Sequence, residues 1–170
     1  MTQLLTQSHN LFDNTPGQQG QDSLFLSLKK LPRRAQQVLL FSRLDNLPYP
    51  AIAQRLDISL SCVEKDMHAA LEACFPPRTA ANSLAMGWYA RLQNPATTAS
   101  ERIDFRRWLD SASEHVSAFH DTELRWRQLL APARVLGVGH WYRKSRLGLR
   151  AWLTAGLAVA LTLEFISQTL

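Results

Sequence analysis

The stretch Pro50-Ala51-Ile52-Ala53-Gln54-Arg55-Leu56-Asp57-Ile58-Ser59-Leu60-Ser61-Cys62-Val63-Glu64-Lys65-Asp66-Met67-His68 reads as a short helix, a tight turn and a second helix. Ala53 is small where the two helices must cross, and Ile52, Leu56, Ile58, Val63 and Met67 close the crossing with apolar side chains. Asp57 sits at the turn, and a short polar residue tolerates the left-handed backbone a tight turn needs. Ser59 is placed to cap the second helix, its hydroxyl accepting an otherwise unpaired backbone N–H. Val63, Met67, Ala70 and Cys74 keep the three-four spacing of a buried stripe, so this helix is predicted over 60–74.

Two helices joined in this way can set the second one in a DNA major groove. The outer face of that helix carries Ser61, Cys62, Lys65 and Asp66, with Glu64 and His68 toward one edge. With the cap they give Ser59, Ser61, Cys62, Glu64, Lys65 and His68 as the candidate DNA-binding residues. A plain helical hairpin shares the same amphipathic rhythm, so the pattern alone is only moderately specific.

Toward the N-terminus, Pro32 suits the first turn of a helix, where a missing N–H costs nothing. That helix reaches about Leu44 and buries Val38, Leu39 and Phe41; Asp45-Asn46 then turns the chain. Ser23 to Lys30 forms a further helix with Leu24, Phe25 and Leu28 on one side. Residues 23–75 thus form one helical unit. Residues 1–22 are rich in Gln, Asn, Ser and Thr, include Pro16, Gly17 and Gly20, and read as a disordered leader. They lack the basic-then-apolar order of a signal peptide.

The run Leu31-Pro32-Arg33-Arg34-Ala35-Gln36-Gln37-Val38-Leu39-Leu40, with Leu44-Asp45-Asn46-Leu47-Pro48-Tyr49 and Ile52 to Ser59, Val63 and Lys65, resembles region four of extracytoplasmic-function sigma factors, most closely the iron-citrate (FecI-like) group. The resemblance implies recognition of the promoter minus-thirty-five element and contact with RNA polymerase. This chain departs from the family at Asp57, where Gly is usual, at Pro50-Ala51 in place of Ser-Glu, and at Glu64, where a basic residue is common. Glu64 and Asp66 would repel a phosphate backbone, on which affinity rests heavily. Nothing upstream matches region two, which melts the promoter in that family.

Phe75-Pro76-Pro77 separates this unit from a second, residues 80–131. Ala81, Leu84, Ala85, Trp88 and Leu92 share one helical face. Thr98 and Glu101 form a capping box for the next helix, which carries Phe105, Trp108 and Leu109. Ser113 is placed to cap a third, with His115, Phe119, Thr122, Trp126 and Leu129 on its face. The expected structure is a three-helix bundle held by Trp88, Trp108 and Trp126. The series Trp88-Tyr89-Ala90-Arg91-Leu92, Phe105-Arg106-Arg107-Trp108-Leu109, His115-Val116-Ser117-Ala118-Phe119 and Trp126 resembles the N-terminal cytoplasmic domain of FecR-like anti-sigma factors. The resemblance implies sigma binding, with Trp88, Trp108, Phe119 and Trp126 as core and partner-binding residues. A lone His115 without a spaced partner is structural rather than a metal ligand.

Residues 132–148 hold Arg134, Arg143, Lys144, Arg146 and Arg150 just beyond, with no acidic residue, and read as a basic juxtamembrane linker. Residues 149–170 are mostly apolar and long enough for a marginal transmembrane helix, with Glu164 toward its far end. The basic cluster places the N-terminal side in the cytoplasm, and Trp141, Tyr142 and Trp152 fall near the interface. The whole chain, 170 residues with net charge +5, has no run of strand period and two cysteines, Cys62 and Cys74, read as reduced.

The expected fold class is therefore all-α: a region-four helix-turn-helix, a small three-helix bundle and a C-terminal transmembrane helix. The expected function is a transcription regulator tethered to the inner membrane by a single pass, its other domains cytoplasmic, in siderophore-type signalling. Its partners would be promoter DNA, RNA polymerase core or a separate sigma factor, the inner membrane and a second copy of itself. The short linker around Pro76-Pro77 favours pairing of the two units in trans. No phosphate loop, paired carboxylates or metal-ligand spacing points to catalysis or to a cofactor. A second reading fits the same residues: a protein-docking anti-sigma adaptor whose helix-turn-helix no longer binds DNA. A third is a remnant of a larger fusion with little function.

Overall fold

The computed structural model describes residues 16–143. Among these residues, eight α-helices and a 3-10 turn follow one another: α1 (Pro16–Lys30), α2 (Arg33–Arg43), α3 (Tyr49–Leu56), α4 (Leu60–Cys74), α5 (Ala80–Leu92), α6 (Ala99–Ser111), α7 (Ser113–Gln128), α8 (Leu130–Leu136) and the turn Val138–Arg143. No strand occurs among the described residues.

Local chemistry sets the boundaries of α3 and α4. Pro50 lies in the first turn of α3, where its missing N–H breaks no ladder. Asp57 ends that helix in the left-handed region, φ 55°, and its N–H bonds back to the Ala53 and Gln54 carbonyls. The Ser59 hydroxyl then accepts the Cys62 N–H and opens α4. Val63, Met67, Ala70 and Cys74 are buried, as their spacing requires. Burial pushes the Cys74 thiol up to about 12, which keeps it an inert apolar filler. In the second module the Thr98–Glu101 capping box is formed as read. Ala112 rather than Ser113 holds the N-cap of α7, without a side-chain bond.

The main core gathers Leu28, Val38, Leu39, Phe41, Ile52 and Leu71, and it does not stop at the linker: Met86, Ala90, Leu129, Ala133 and Tyr142 belong to it too. A separate small cluster, Ala81, Ala85 and Ala118, lies between α5 and α7, with Trp108 and Phe119 against it. The second module is thus held by alanines at its centre, not by three tryptophans. Trp88, Trp108 and Trp126 are only partly buried, and Leu84, read on the inner face, is 52% exposed. The rings meet around that alanine centre: Trp88 on Phe105, Phe105 on Phe119, Trp108 on His115. Trp126 instead packs at a tilt against Tyr89, a residue that packs against the main core.

Several expectations are corrected. Residues 16–22, expected in a leader, are helical; residues 1–15 lie outside the described residues. The segment expected as a juxtamembrane linker folds back over the first module through residue 143, and 144–148 lie outside the described residues. α8 packs on α1, and the 3-10 turn packs on α2. Tyr142, read as an interfacial aromatic, is 1% exposed, edge-on to Phe41, with its hydroxyl donating to Asp45. Trp141 donates its indole N–H to the Leu136 carbonyl. The fold-back passes close at Gly137, where a Cβ would lie 2.6 Å from a Leu44 methyl and 3.2 Å from the Ala133 carbonyl oxygen.

The transmembrane helix of the expected fold class, and with it the single-pass inner-membrane localisation, is not supported. Among the described residues no helix is long and apolar enough to cross a membrane. The 149–170 stretch, including Trp152 and Glu164, lies outside the described residues.

Candidate nucleic-acid interface

α4 presents three faces, and each does something different. The inner face fills the core through Val63, Met67, Ala70 and Cys74. A second face carries Glu64, His68 and Glu72, one turn apart, and lies along α5. Glu72 accepts from the Ser83 hydroxyl at 3.0 Å; His68 packs beside Gly87; Glu64 accepts from Arg91 at 2.8 Å and from Asn94 at 2.9 Å. Moving four residues up α4 moves four down α5, the register of an antiparallel helical hairpin. A third face, Ser61, Lys65, Ala69 and Ala73, is exposed.

The six candidate DNA residues therefore divide. Ser59, Ser61 and Lys65 are exposed, and Cys62 is partly so. Ser59 serves mainly as the cap, its hydroxyl within 2.9 Å of that of Ser61. Glu64 and His68 face the second module. Asp66, read on the outer face, is 8% exposed and accepts two bonds from Arg34. That pairing, led by the side-chain hydrogen bond, raises the Arg34 pKa and ties α2 to α4. Sequence spacing missed it because Arg34 comes from 32 residues away.

Both acidic residues expected to repel phosphate are thus neutralised within the protein. Arg91 is the centre of the larger network. It bridges Glu64 and Glu101, and those two hydrogen bonds raise its pKa, Glu64 first. Glu101 lies below the ordinary carboxylate range because the Thr98 backbone N–H and hydroxyl donate to it, with Arg91 adding to this. Arg91 lies inside the run that resembles an anti-sigma domain, but nothing in the spacing marks it as the partner of Glu64.

The linker expectation is corrected with the same residues. Pro76-Pro77 does not hold the modules apart: the chain turns between Phe75 and Thr79, Thr79 caps α5, and α5 docks on α4 directly. A hairpin needs only that short turn, so the stiff linker sets the docking rather than preventing it. The docking covers the acidic edge of α4 and leaves Ser61 and Lys65 open.

The second-module candidates Trp88, Trp108 and Phe119 form one aromatic group, and Trp126 lies apart at the junction. The Trp108 indole N–H is buried with no partner. His115 stacks on Trp108 at 4.6 Å, and its Nδ1 lies 2.7 Å from the Trp108 carbonyl oxygen, as a structural histidine would.

Residues 22–74 match the family model described as sigma-70, region 4. Residues 85–124 match one described as a domain of unknown function, DUF4880. No curated protein and no solved structure matches the chain. The first module is therefore similar to sigma-70 region 4. The second match gives that module a family without an activity and leaves the FecR-like assignment unconfirmed.

Proposed function

We propose that this protein is a sigma-like transcription regulator that reads duplex DNA of promoter minus-thirty-five type through Ser61, Cys62 and Lys65 of α4. The second module, an anti-sigma-type domain in this reading, is held in cis along the acidic edge of the same helix. The observation that carries the reading is the division of α4: Glu64 is taken up by Arg91 and Asn94, while Ser61 and Lys65 stay exposed. Because nucleic-acid affinity comes largely from phosphate neutralisation, removing the acidic repulsion matters as much as adding a cation. RNA polymerase follows as a protein partner, and the iron-citrate resemblance carries siderophore-type signalling. No step requires catalysis.

Titration of the intact chain against a short duplex tests this. Lys65→Ala should weaken binding and lower the slope of log affinity against log salt by about 1, with helicity unchanged. Absence of salt-sensitive binding at low salt defeats the reading. It would favour the adaptor alternative, which the engagement of Glu64, His68 and Glu72 by α5 supports, since that edge of α4 already serves as a protein-docking face.

A further inference from the structure

A cleft of 280 Å³ opens where the two modules meet. Ser42, Arg43 and Tyr49 line it from the first module, Tyr89, Gln93 and Trp126 from the second. Arg43 is half-buried, and its guanidinium lies 5.1 Å from the centre of the Trp126 ring. One of its Nη groups donates to the Arg127 carbonyl. Its Nε–H has no acceptor, and no carboxylate pairs with it among the described residues. Tyr49 is 2% exposed, and its hydroxyl is also without a partner.

Such a combination is costly without further acceptors. A buried donor left unpaired costs about 1–3 kcal/mol, and a half-buried cation without a counter-charge is worse placed than a paired one. Burial is the largest influence on Arg43 and lowers its pKa, with Arg134 adding to the effect against Tyr89. An anion with acceptor oxygens would answer both deficits at once. The planar guanidinium fork matches a carboxylate better than a point charge does. The Trp126 and Tyr89 rings, 5.9 Å apart, offer an aromatic wall, and the cleft is near the small end of ligand-binding cavities.

We infer that this cleft binds a small aromatic carboxylate, held by Arg43 and Tyr49 against Trp126, and that the ligand bridges the two modules. Residues on both sides of the junction would touch it, so binding favours the docked arrangement over any separated one. The inference does not rest on DNA reading, since its test contains no DNA.

Calorimetric titration of the full chain with benzoate is the test. Saturable binding is expected with Kd below about 1 mM. Benzamide, of similar shape but neutral, should bind at least tenfold more weakly, and inorganic phosphate likewise. Arg43→Gln should weaken benzoate at least tenfold. Because Arg43 also braces Trp126, Tyr49→Phe provides a second variant that keeps the ring, and it should weaken benzoate severalfold. No saturation by about 10 mM benzoate, equal affinity for benzamide or phosphate, or unaltered affinity in Tyr49→Phe would each overturn the site.

Discussion

In the first module Leu28, Val38, Leu39, Ile52 and Val63 are fully buried; in the second the central positions are Ala81, Ala85 and Ala118, and α6 contributes no buried residue at all. Aliphatic side chains of branched shape interlock and remove large areas from water. Alanines allow close helix approach but bury little. The second module makes up the difference outside itself: Met86 and Ala90 on α5 and Leu129 beyond α7 are buried in the first module's core. The first module supplies most of the shared core. The other is completed by docking on it, and the docking surface is the Glu64–His68–Glu72 edge of α4.

The largest expected effects test that dependence. Ile52→Ala and Leu129→Ala each delete a fully buried side chain in the shared core and should each cost about 2–5 kcal/mol. In denaturant titration followed by circular dichroism and by tryptophan fluorescence, both variants should unfold in one transition with coincident probes. A Leu129→Ala chain that loses the second module first, leaving the head folded, would show the two modules to be independent. Trp108→Ala should cost less, about 2 kcal/mol, because the ring is only partly buried; a larger loss would mean that the aromatic group, not the alanine centre, holds the module.

At the next scale lies the Arg91 bridge. Glu64 and Arg91 are each about a quarter exposed on their side chains, at 24% and 28%. Solvent screens such a pair, so a double-mutant cycle of Glu64→Gln and Arg91→Ala should give a coupling of about 1 kcal/mol. The same Glu64→Gln change should leave DNA affinity nearly unaltered, because the charge it removes is already neutralised. Arg91→Ala, which releases that charge, should weaken DNA binding. Equal effects from the two variants would break the link between docking and reading.

What the sequence made legible follows from the range of the interactions involved. The turn at Asp57, the cap at Ser59, the Thr98–Glu101 box and the Val63–Met67–Ala70–Cys74 stripe are all settled within one or two helical turns, and each is found as read. The division of α4 was only half visible. Ser61 and Lys65 follow from helical spacing, but the fate of Glu64 depends on Arg91 and that of Asp66 on Arg34, and periodicity is silent about partners so far along the chain. Leu84 lies outside the core because a broad apolar stripe does not say which of its edges is covered. Tyr142 is hidden for a similar reason: beside basic residues and before an apolar stretch, it matches the composition of a membrane interface, and its contacts with Phe41 and Asp45 come from about a hundred residues earlier.

That last contact gives the smallest effect and a pH test of the fold-back. Asp45 receives the Tyr142 hydroxyl at 3.0 Å and the Arg143 Nε–H at 3.1 Å. Burial pulls its carboxyl up, yet the bonds from Arg143 and Tyr142 outweigh it and leave Asp45 below the ordinary carboxylate value. A group whose pKa is lower folded than unfolded stabilises the fold fully above its unfolded value, about 4. That contribution is lost as pH falls through the folded value. The 3-10 turn should therefore loosen only in acid, below the ordinary carboxylate range, and stay closed at neutral pH. Hydrogen exchange at the Tyr142 amide is the measure: protection should fall on acidification in the wild-type chain. In Asp45→Asn protection should start lower, and its dependence on pH in that range should flatten. Equal acid sensitivity in the variant would place the titrating group elsewhere. It would also leave the closure of the first module by the chain's later segment to Phe41 and the apolar packing around it.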